Sequence, residues 1–169
     1  GRNNVFVRVP ATEGREHEGA ILLQGHTDMV CENNSGVEHD FMRDGLELYV
    51  EDGWLRARGT TLGGDDGAAV AMMLAVIDGC VATHPTVECL FTTDEEVGLL
   101  GAGSFDYSVI TAKKMINLDS EEENAVTAGC AGGVRSDLVV PVKMQEARGE
   151  ALDISLTGLC GGHSGENIN

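Results

Sequence analysis

The chain has 169 residues, of which 28 are acidic and 11 are basic, so its formal net charge is −17. A protein this acidic repels phosphate backbones and anionic lipid headgroups, which argues against binding to nucleic acid or to a membrane surface. Hydrophobic residues make up 42% of the chain and charged residues 23%, a balance that excludes a disordered acidic tail. We therefore expect a soluble, folded protein of one domain, or of one domain and part of another.

The five cysteines are scattered along the chain without a CxxC pair. An odd number at such spacings is not a disulfide framework, and no signal-peptide pattern opens the sequence, so we expect a cytoplasmic protein. The chain begins at Gly1 without an initiator Met and stops at Asn169, which we interpret as a piece of a longer chain.

The first half of the sequence alternates between predicted strands and a predicted helix. Strands are predicted over residues 5–9 and over the apolar run at 19–24. Residues 46–50 and 54–57 flank Asp52-Gly53, which is a strong signal for a hairpin turn. Residues 68–77 are apolar throughout, follow two acidic residues and precede a glycine, as in a buried helix. All three consecutive residues Met72, Met73 and Leu74 of this helix are expected in the core.

Two further apolar runs, at residues 87–92 and 115–118, predict strands that follow the helix. The alternation of strands and helices is typical of an α/β domain with a mainly parallel sheet. After a predicted boundary near Gly132-Gly133 the pattern changes, and residues 138–142 and 152–156 are predicted to form two strands of a second domain.

Three of the predicted strands are followed by polar side chains that suit a metal site. His26 and Asp28 come after the first apolar run, Asp94-Glu95-Glu96 after the second, and Asp119 after the third. Because ligands bind beyond the carboxyl ends of strands in open α/β sheets, we expect one site there. Asp65 and Asp66, in the glycine-rich segment before the helix, are expected to join it.

The local charge indicates what this site binds. Between Arg58 and Lys113 there are eight acidic residues and no Lys or Arg. Carboxylates crowded at a partly buried edge need a counter-charge, and a divalent cation is the simplest one. One imidazole with several carboxylates suits zinc, cobalt or manganese better than calcium.

Each motif also has a purely structural interpretation. The HxD pattern is also what an ordinary capped strand end would show, GGDDG is compatible with a turn and helix N-cap, and the acidic triplet at 94–96 with a solvated turn. His17, His39 and His84 lie in polar segments and are expected on the surface. Only the combination of motifs favours a metal site. Neither a GxSxG nucleophile elbow, a phosphate-binding loop nor an HExxH motif occurs in the sequence.

The ordered set of motifs resembles the aminoacyl-histidine dipeptidases, also called Xaa-His or beta-alanyl-histidine dipeptidases. These carnosine-cleaving enzymes belong to a larger group of co-catalytic di-zinc metallopeptidases. The resemblance is carried by GHTDMV (25–30), ARGTTLGGDDG (57–67), TTDEEVG (92–98), INLDSEEE (116–123), AGCAGG (128–133) and GLCGGHSG (158–165). The match covers essentially the whole chain. It implies an α/β catalytic domain over residues 1–132 and the beginning of an α+β lid domain over residues 133–169.

The resemblance also implies a ligand set for two Zn²⁺ ions, with Co²⁺ or Mn²⁺ as alternatives. His26 and Glu96 would bind the first zinc, Asp119 the second, and Asp65 would bridge the two. Asp28 would steady the ring of His26. In relatives a late histidine completes the second zinc site, and this resemblance places that residue after Asn169.

Further roles follow from the same resemblance. Glu95 would be the general base, His163 would contact the substrate, and the Asp65-Asp66 peptide bond would be cis. The implied reaction is hydrolysis of dipeptides, especially Xaa-His, by a cytoplasmic enzyme that forms a homodimer through its lid. We expect the 169 residues alone to have little or no activity. The alternatives are a tripeptide aminopeptidase, an N-acyl amino acid deacylase, or a non-catalytic metal-binding module.

Overall fold

The computed structural model describes residues 2–120, 124–129, 136–146, 149–150 and 152–158. The chain divides into two compact units, residues 1–126 and residues 127–169. None of the described helices is long and apolar enough to cross a membrane.

The first unit is built on a sheet of four strands with a separate hairpin. The sheet strands are β1 (Val5–Val9), β2 (Ile21–His26), β5 (Val87–Thr92) and β6 (Lys114–Asn117), and the hairpin consists of β3 (Leu48–Glu51) and β4 (Trp54–Ala57). The sheet order is β1-β5-β2-β6. β5 and β6 both run parallel to β2, whereas β1 is antiparallel to β5. This confirms the predicted α/β fold with a mainly parallel sheet.

Helix α1 (Gly64–Ile77) packs its inner face against the two central strands. Met73 is fully buried against Val87, Cys89 and Phe91, which are alternate residues of β5 and therefore share one face of the sheet. The first residues of α1 depart from helical geometry, since Asp65 and Asp66 have non-helical φ and ψ angles. The apolar run thus predicts the regular part of the helix correctly.

The prediction that the three consecutive apolar residues of α1 all lie in the core is wrong for two of them. Met73 is 0% exposed, whereas Met72 is 51% and Leu74 is 53% exposed. Consecutive helical residues are about 100° apart around the axis, so only one of the three faces the sheet. His84 is a second correction, because it is buried rather than on the surface. Its ring Nδ1 lies 2.8 Å from the backbone oxygen of Pro85, and its backbone N–H donates to Thr12 Oγ1.

A short helix, α2 (Leu100–Gly103), and a 3₁₀ turn (Tyr107–Val109) connect β5 to β6. On the face of β5 opposite Met73, the fully buried Glu88 accepts hydrogen bonds from Arg8, the hydroxyl and N–H of Thr111, and the N–H of Ala112. These bonds join β1, β5 and the segment before β6.

The two strands predicted for the second unit are not formed. Residues 138–142 and 152–156 have no regular secondary structure, and their apolar side chains are exposed. A strand needs a hydrogen-bonded neighbour, and neither segment pairs with another among the residues that the structure describes. The assignment of residues 1–132 and 133–169 to a catalytic and a lid domain stays a prediction.

Candidate metal centre

The carboxyl ends of the parallel strands bring the predicted residues together at one edge of the sheet. His26 is the last residue of β2 and pairs in register with Thr92, the last residue of β5. The segment after β5 supplies Glu95 and Glu96, and the segment after β6 supplies Asp119. This is the edge at which α/β sheets bind ligands.

The ring of His26 is held between a backbone oxygen and carboxylates. It is 1% exposed, and its Nδ1 lies 2.9 Å from the backbone oxygen of Asp28. Because a carbonyl only accepts, Nδ1 carries a proton and Nε2 is left to face the site. Nε2 lies 3.0 Å from Asp65 Oδ1 and 3.9 Å from Asp119 Oδ2. Two acceptors that face each other at 3.0 Å need a proton or a cation between them.

The carboxylate of Asp28 contacts the loop after β5 more closely than it contacts the His26 ring. Asp28 Oδ1 lies 3.5 Å from His26 Nδ1, while Oδ2 accepts a hydrogen bond of 3.1 Å from the backbone N–H of Glu96. Asp28 therefore orients the ring mainly through its backbone oxygen. Its side chain ties two of the strand ends together.

The atoms that could bind a metal ion fall into two groups that share His26. In one, donor atoms of His26, Glu95 and Glu96 all lie within 4.8 Å of one another, and in the other the same holds for His26, Asp66 and Asp119. An imidazole with several carboxylate oxygens is the donor set that zinc, cobalt and manganese accept in proteins. The residues present therefore fit a divalent cation.

The electrostatics of the site favour a cation as well. Burial raises the pKa of the Glu95 carboxyl above its ordinary value, and repulsion from Asp119 and Glu96 adds to this effect. Burial together with the charge of Asp65 also raises the pKa values of Glu96 and Asp119. A raised pKa means that the ionised form is poorly compensated, which a bound cation would correct.

The histidine shows the complementary shift. Burial alone would lower the pKa of His26, but the Asp28 carbonyl and the charges of Asp119 and Asp65 outweigh it, so the pKa is raised. The ring thus lies in a strongly negative environment. A proton or a metal ion at Nε2 is stabilised there.

Basic side chains compensate other acids but not these. Arg8 pairs with Glu88 and Arg2 pairs with Asp94, at 2.9 and 2.8 Å. Among the residues that the structure describes, no Lys or Arg forms an ion pair with Asp65, Glu95, Glu96 or Asp119. Arg2 and Arg8, near the N-terminus, therefore compensate acids outside the site and leave those within it without a basic partner among the described residues.

Asp66 has a structural role that the sequence did not predict, since, of the two adjacent acids, the resemblance gives a metal-binding role to Asp65 alone. It is 3% exposed, and its carboxylate accepts hydrogen bonds from the backbone N–H groups of His26, at 3.1 Å, and Ala69, at 3.3 Å. The peptide bond between Asp65 and Asp66 is cis, as the resemblance implies. Asp66 thus joins the end of β2 to the first turn of α1. The only signal in the sequence was the pair of acids before an apolar helix.

Gly25 permits this close approach of helix and strand. A Cβ atom at residue 25 would lie 2.5 Å from Asp66 Oδ2 and 2.6 Å from the Cβ of Ala69. Only glycine leaves room for both contacts. The structure thus brings together His26, Asp28, Asp65, Asp66, Glu95, Glu96 and Asp119, whereas His163 lies outside the described residues.

Comparison with known proteins identifies the family. The sequence profile of Peptidase family M20/M25/M40 matches residues 22–139. The chain is 40% identical over 168 residues to the cytosol non-specific dipeptidase of Escherichia coli (strain K12), covering 98% of this chain and 35% of that protein. An uncharacterised Bacillus subtilis protein, YqjE, is 34% identical over 113 residues, which are 64% of this chain and 28% of that protein. The chain thus spans about a third of the length of the curated relatives it matches.

Solved structures agree with the sequence relatives. The crystal structure of an aminoacylhistidine dipeptidase from Vibrio alginolyticus superposes with a TM-score of 0.68 at 40% identity, covering 71% of this chain and 24% of that one. An aminopeptidase PepT from Bacillus cereus superposes with a TM-score of 0.57 at 31% identity, covering 70% of this chain and 30% of that one. These matches confirm the resemblance and the fold inferred from the motifs. The chain belongs to Peptidase family M20/M25/M40.

Proposed function

We propose that this sequence carries the metal ligands and the general base of a zinc-dependent dipeptidase that hydrolyses Xaa-His substrates. The observation that carries the proposal is the position of His26 Nε2, which faces Asp65 and Asp119, two carboxylates that no Lys or Arg of the described residues pairs with. Membership of a peptidase family and similarity to a dipeptidase support the reaction class. The aminoacylhistidine dipeptidase among the similar structures supports a histidine-containing substrate.

His26, Asp65, Glu96 and Asp119 would hold the metal. A bound zinc, or cobalt or manganese in its place, supplies Lewis-acid polarisation of the scissile carbonyl and lowers the pKa of a water molecule. The Nδ1–H bond to the Asp28 backbone oxygen keeps Nε2 of His26 directed at the carboxylates.

Glu95 is the proposed general base. Its carboxylate takes a proton from the attacking water and then donates that proton to the leaving amine, so the same group serves both halves of the reaction. Burial and the neighbouring acids raise the pKa of Glu95, which makes its carboxylate a stronger base than that of an exposed glutamate. Glu95 and Glu96 are adjacent in a turn, and the N–H of Glu96 bonds to Asp28, which fixes the turn between base and ligand.

A chimera tests the reaction class. In it, this chain replaces the matching 168 residues of the E. coli dipeptidase. We expect Zn²⁺-dependent hydrolysis of a Xaa-His dipeptide, and we expect Glu95→Gln to reduce kcat by 10²–10⁴-fold, the range typical of a general base, while the zinc content is kept. Glu38→Gln, in an exposed loop, is the matched control and should leave kcat unchanged. Equal activity of the Glu95 variant and the parent chimera would contradict the assignment.

A second candidate function is aminopeptidase action on tripeptides. The observation that favours it is the match to the Bacillus cereus aminopeptidase at 31% identity. A panel of Xaa-His dipeptides, other dipeptides, tripeptides and N-acyl amino acids separates these activities. A chimera that binds zinc but cleaves none of them would support a non-catalytic metal-binding module.

The cytosolic location named for the E. coli relative supports a cytoplasmic protein here.

A further inference from the structure

The side chain of Asn4, which precedes β1, holds both ends of the loop that follows β5. Its Oδ1 accepts a hydrogen bond of 3.1 Å from the backbone N–H of Thr93, and its Nδ2 donates one of 2.8 Å to the backbone oxygen of Gly101. Thr93 and Gly101 also bond to each other, because the N–H of Gly101 donates to the oxygen of Thr93 at 3.0 Å. One amide thus closes a loop of residues 93–101, and this loop contains Glu95 and Glu96.

The loop has a defined conformation that depends on such support. The oxygen of Glu95 accepts from the N–H groups of Gly98 and Leu99, both at 2.9 Å. Asp94 and Leu99 have left-handed φ angles of 54° and 59°. Asp tolerates this region, but a residue such as Leu seldom adopts it. Residues in such conformations persist where the surrounding structure holds them, and Asn4 supplies two of the bonds that do so.

The contact between Asn4 and the loop leaves no space for a residue larger than glycine at position 101. A Cβ atom on Gly101 would collide with the backbone oxygen of Thr93 and would lie 2.7 Å from Asn4 Oδ1. Arg2 strengthens the same junction, since its guanidinium lies 2.8 Å from Asp94 and its backbone oxygen accepts a hydrogen bond from the Thr93 hydroxyl. The segment before β1 is therefore fitted to this loop.

We infer that Asn4 is a positioning residue that fixes the 93–101 loop and so places Glu95 and Glu96 beside His26. The loop is held at its base by Asn4 and at Glu96 by the Asp28 carboxylate, 3.1 Å from the Glu96 nitrogen. When the bonds from Asn4 to the base of the loop are removed, the carboxylates of Glu95 and Glu96 lose their fixed distance to His26, and the affinity for a cation falls. The inference rests on the proposed function only in so far as these groups bind a metal.

The test uses the whole 169-residue chain with three variants. Asn4→Ala removes both bonds, Asn4→Asp keeps the acceptor for Thr93 but removes the donor to Gly101, and Asn3→Asp adds the same charge at the exposed neighbouring residue. Co²⁺ affinity is measured from its visible absorption, and hydrogen exchange is measured at the amides of residues 93–101. Amides of β2 and α1 report on global opening.

For Asn4→Ala we expect exchange at Thr93 and Gly101 to be about tenfold faster, with unchanged exchange in β2 and α1, and Co²⁺ affinity to fall about tenfold, the lower end for residues that support metal ligands. Asn4→Asp keeps the acceptor for the Thr93 amide and loses only the donor to the Gly101 oxygen, so exchange at Thr93 should stay close to that of the unsubstituted chain and Co²⁺ affinity should be intermediate. Asn3→Asp should match the unsubstituted chain. If Asn4→Ala does not fold, Asn4→Asp provides the same comparison.

Faster exchange in the loop with unchanged Co²⁺ affinity would overturn the positioning role and leave the proposed function intact. Unchanged exchange at the amides of residues 93–101 in Asn4→Ala would show that Asn4 does not fix the loop. If the unsubstituted chain binds no Co²⁺, the proposed function fails together with the effect on affinity, while the exchange rates still decide whether Asn4 fixes the loop.

Discussion

At the scale of single residues, the site depends on a few side chains whose freedom is removed from outside. The His26 ring is oriented by the backbone oxygen of Asp28, and the backbone N–H of His26 donates a hydrogen bond to the Asp66 carboxylate. Gly25 lets that carboxylate and the first turn of α1 approach the end of β2. Neighbours that position ligands in this way increase the affinity of a metal site.

Replacing Gly25 by Ala should therefore disturb both stability and metal binding. The added methyl would meet Asp66 Oδ2 at 2.5 Å and Ala69 Cβ at 2.6 Å. We expect the free energy of unfolding to fall by about 1–3 kcal/mol, as for other overpacked sites, and Zn²⁺ affinity to fall as well. Urea unfolding and zinc titration measure the two effects.

Gly19→Ala is the control, because a Cβ atom there would contact nothing within 4 Å. This variant should be as stable as the parent chain within about 0.5 kcal/mol. If both alanine variants lose the same stability, the close packing at residue 25 is not the cause.

The sequence predicted which residues would meet better than it predicted how they are held. His26, Asp65, Glu95, Glu96 and Asp119 follow from the motifs and from the edge that parallel strands share. The hydrogen bonds of Asp66 to the backbone did not follow, because they depend on the direction that the backbone gives to each of two adjacent acids. Asn4 and Glu88 gave no signal either, since their partners lie up to 97 and 80 residues away in the chain.

At the scale of elements, the packing of α1 against the buried strand β5 forms the core of the sheet unit. All residues of β5 are buried, and its alternate residues pack against Met73 of α1. The periodicity predicted β1 and β5 at their observed bounds, since continuous or alternating apolar runs with clear ends leave little choice of register. It did not predict that residues 138–142 remain unpaired, because pairing depends on a neighbour and not on the segment itself.

Two adjacent methionines of α1 allow a matched test of this packing. Met73 is 0% and Met72 is 51% exposed. Met73→Ala should lower the free energy of unfolding by about 2–5 kcal/mol, because it removes a buried side chain and leaves a cavity. Met72→Ala should change it by no more than about 0.5 kcal/mol. Equal losses in urea unfolding would mean that the helix presents a different face to the sheet.

At the scale of the whole molecule, the net charge is −17, and the acids around His26 are the part of it that bears on function. Acids outside the site include Glu88 and Asp94, which have arginine partners. Glu95, Glu96 and Asp119 instead have pKa values that burial raises first and that repulsion from neighbouring acids raises further. Two divalent cations would neutralise four negative charges. The acidic charge, which the sequence analysis used to argue against nucleic acid as a partner, thus also favours a bound metal ion.

The stability of the metal-free chain should fall as the pH rises. Glu95, Glu96 and Asp119 have pKa values raised above 4.5, 4.5 and 3.8, so their contribution is present below these values and is lost as the pH rises through the folded-state pKa. His26, with its pKa raised above 6.5, acts in the same direction from that pH upwards. Urea unfolding in a chelator should therefore show lower stability at pH 8 than at pH 6.

Zinc should reverse this trend, because it binds the deprotonated ligands. With Zn²⁺ in excess, the gain in stability should grow from pH 6 to pH 8. A metal-free chain whose stability rises over this interval would contradict the charge balance described for the site.

Glu88 should cause a separate loss of stability at acid pH. Burial would raise the pKa of Glu88, but hydrogen bonds from Thr111, Ala112 and Arg8 lower it, so its contribution to stability is lost as the pH falls below 4.5.

The most direct test of the central claim, that His26 and its carboxylates form a metal site, is calorimetric titration of Zn²⁺ into the 169-residue chain at pH 7.5. We predict saturable binding that His26→Gln weakens by at least about 10-fold, consistent with the loss of one ligand, whereas His17→Gln, at an exposed residue, leaves it unchanged. No saturable binding by the unsubstituted chain, or equal affinity of the His26 and His17 variants, would contradict the account.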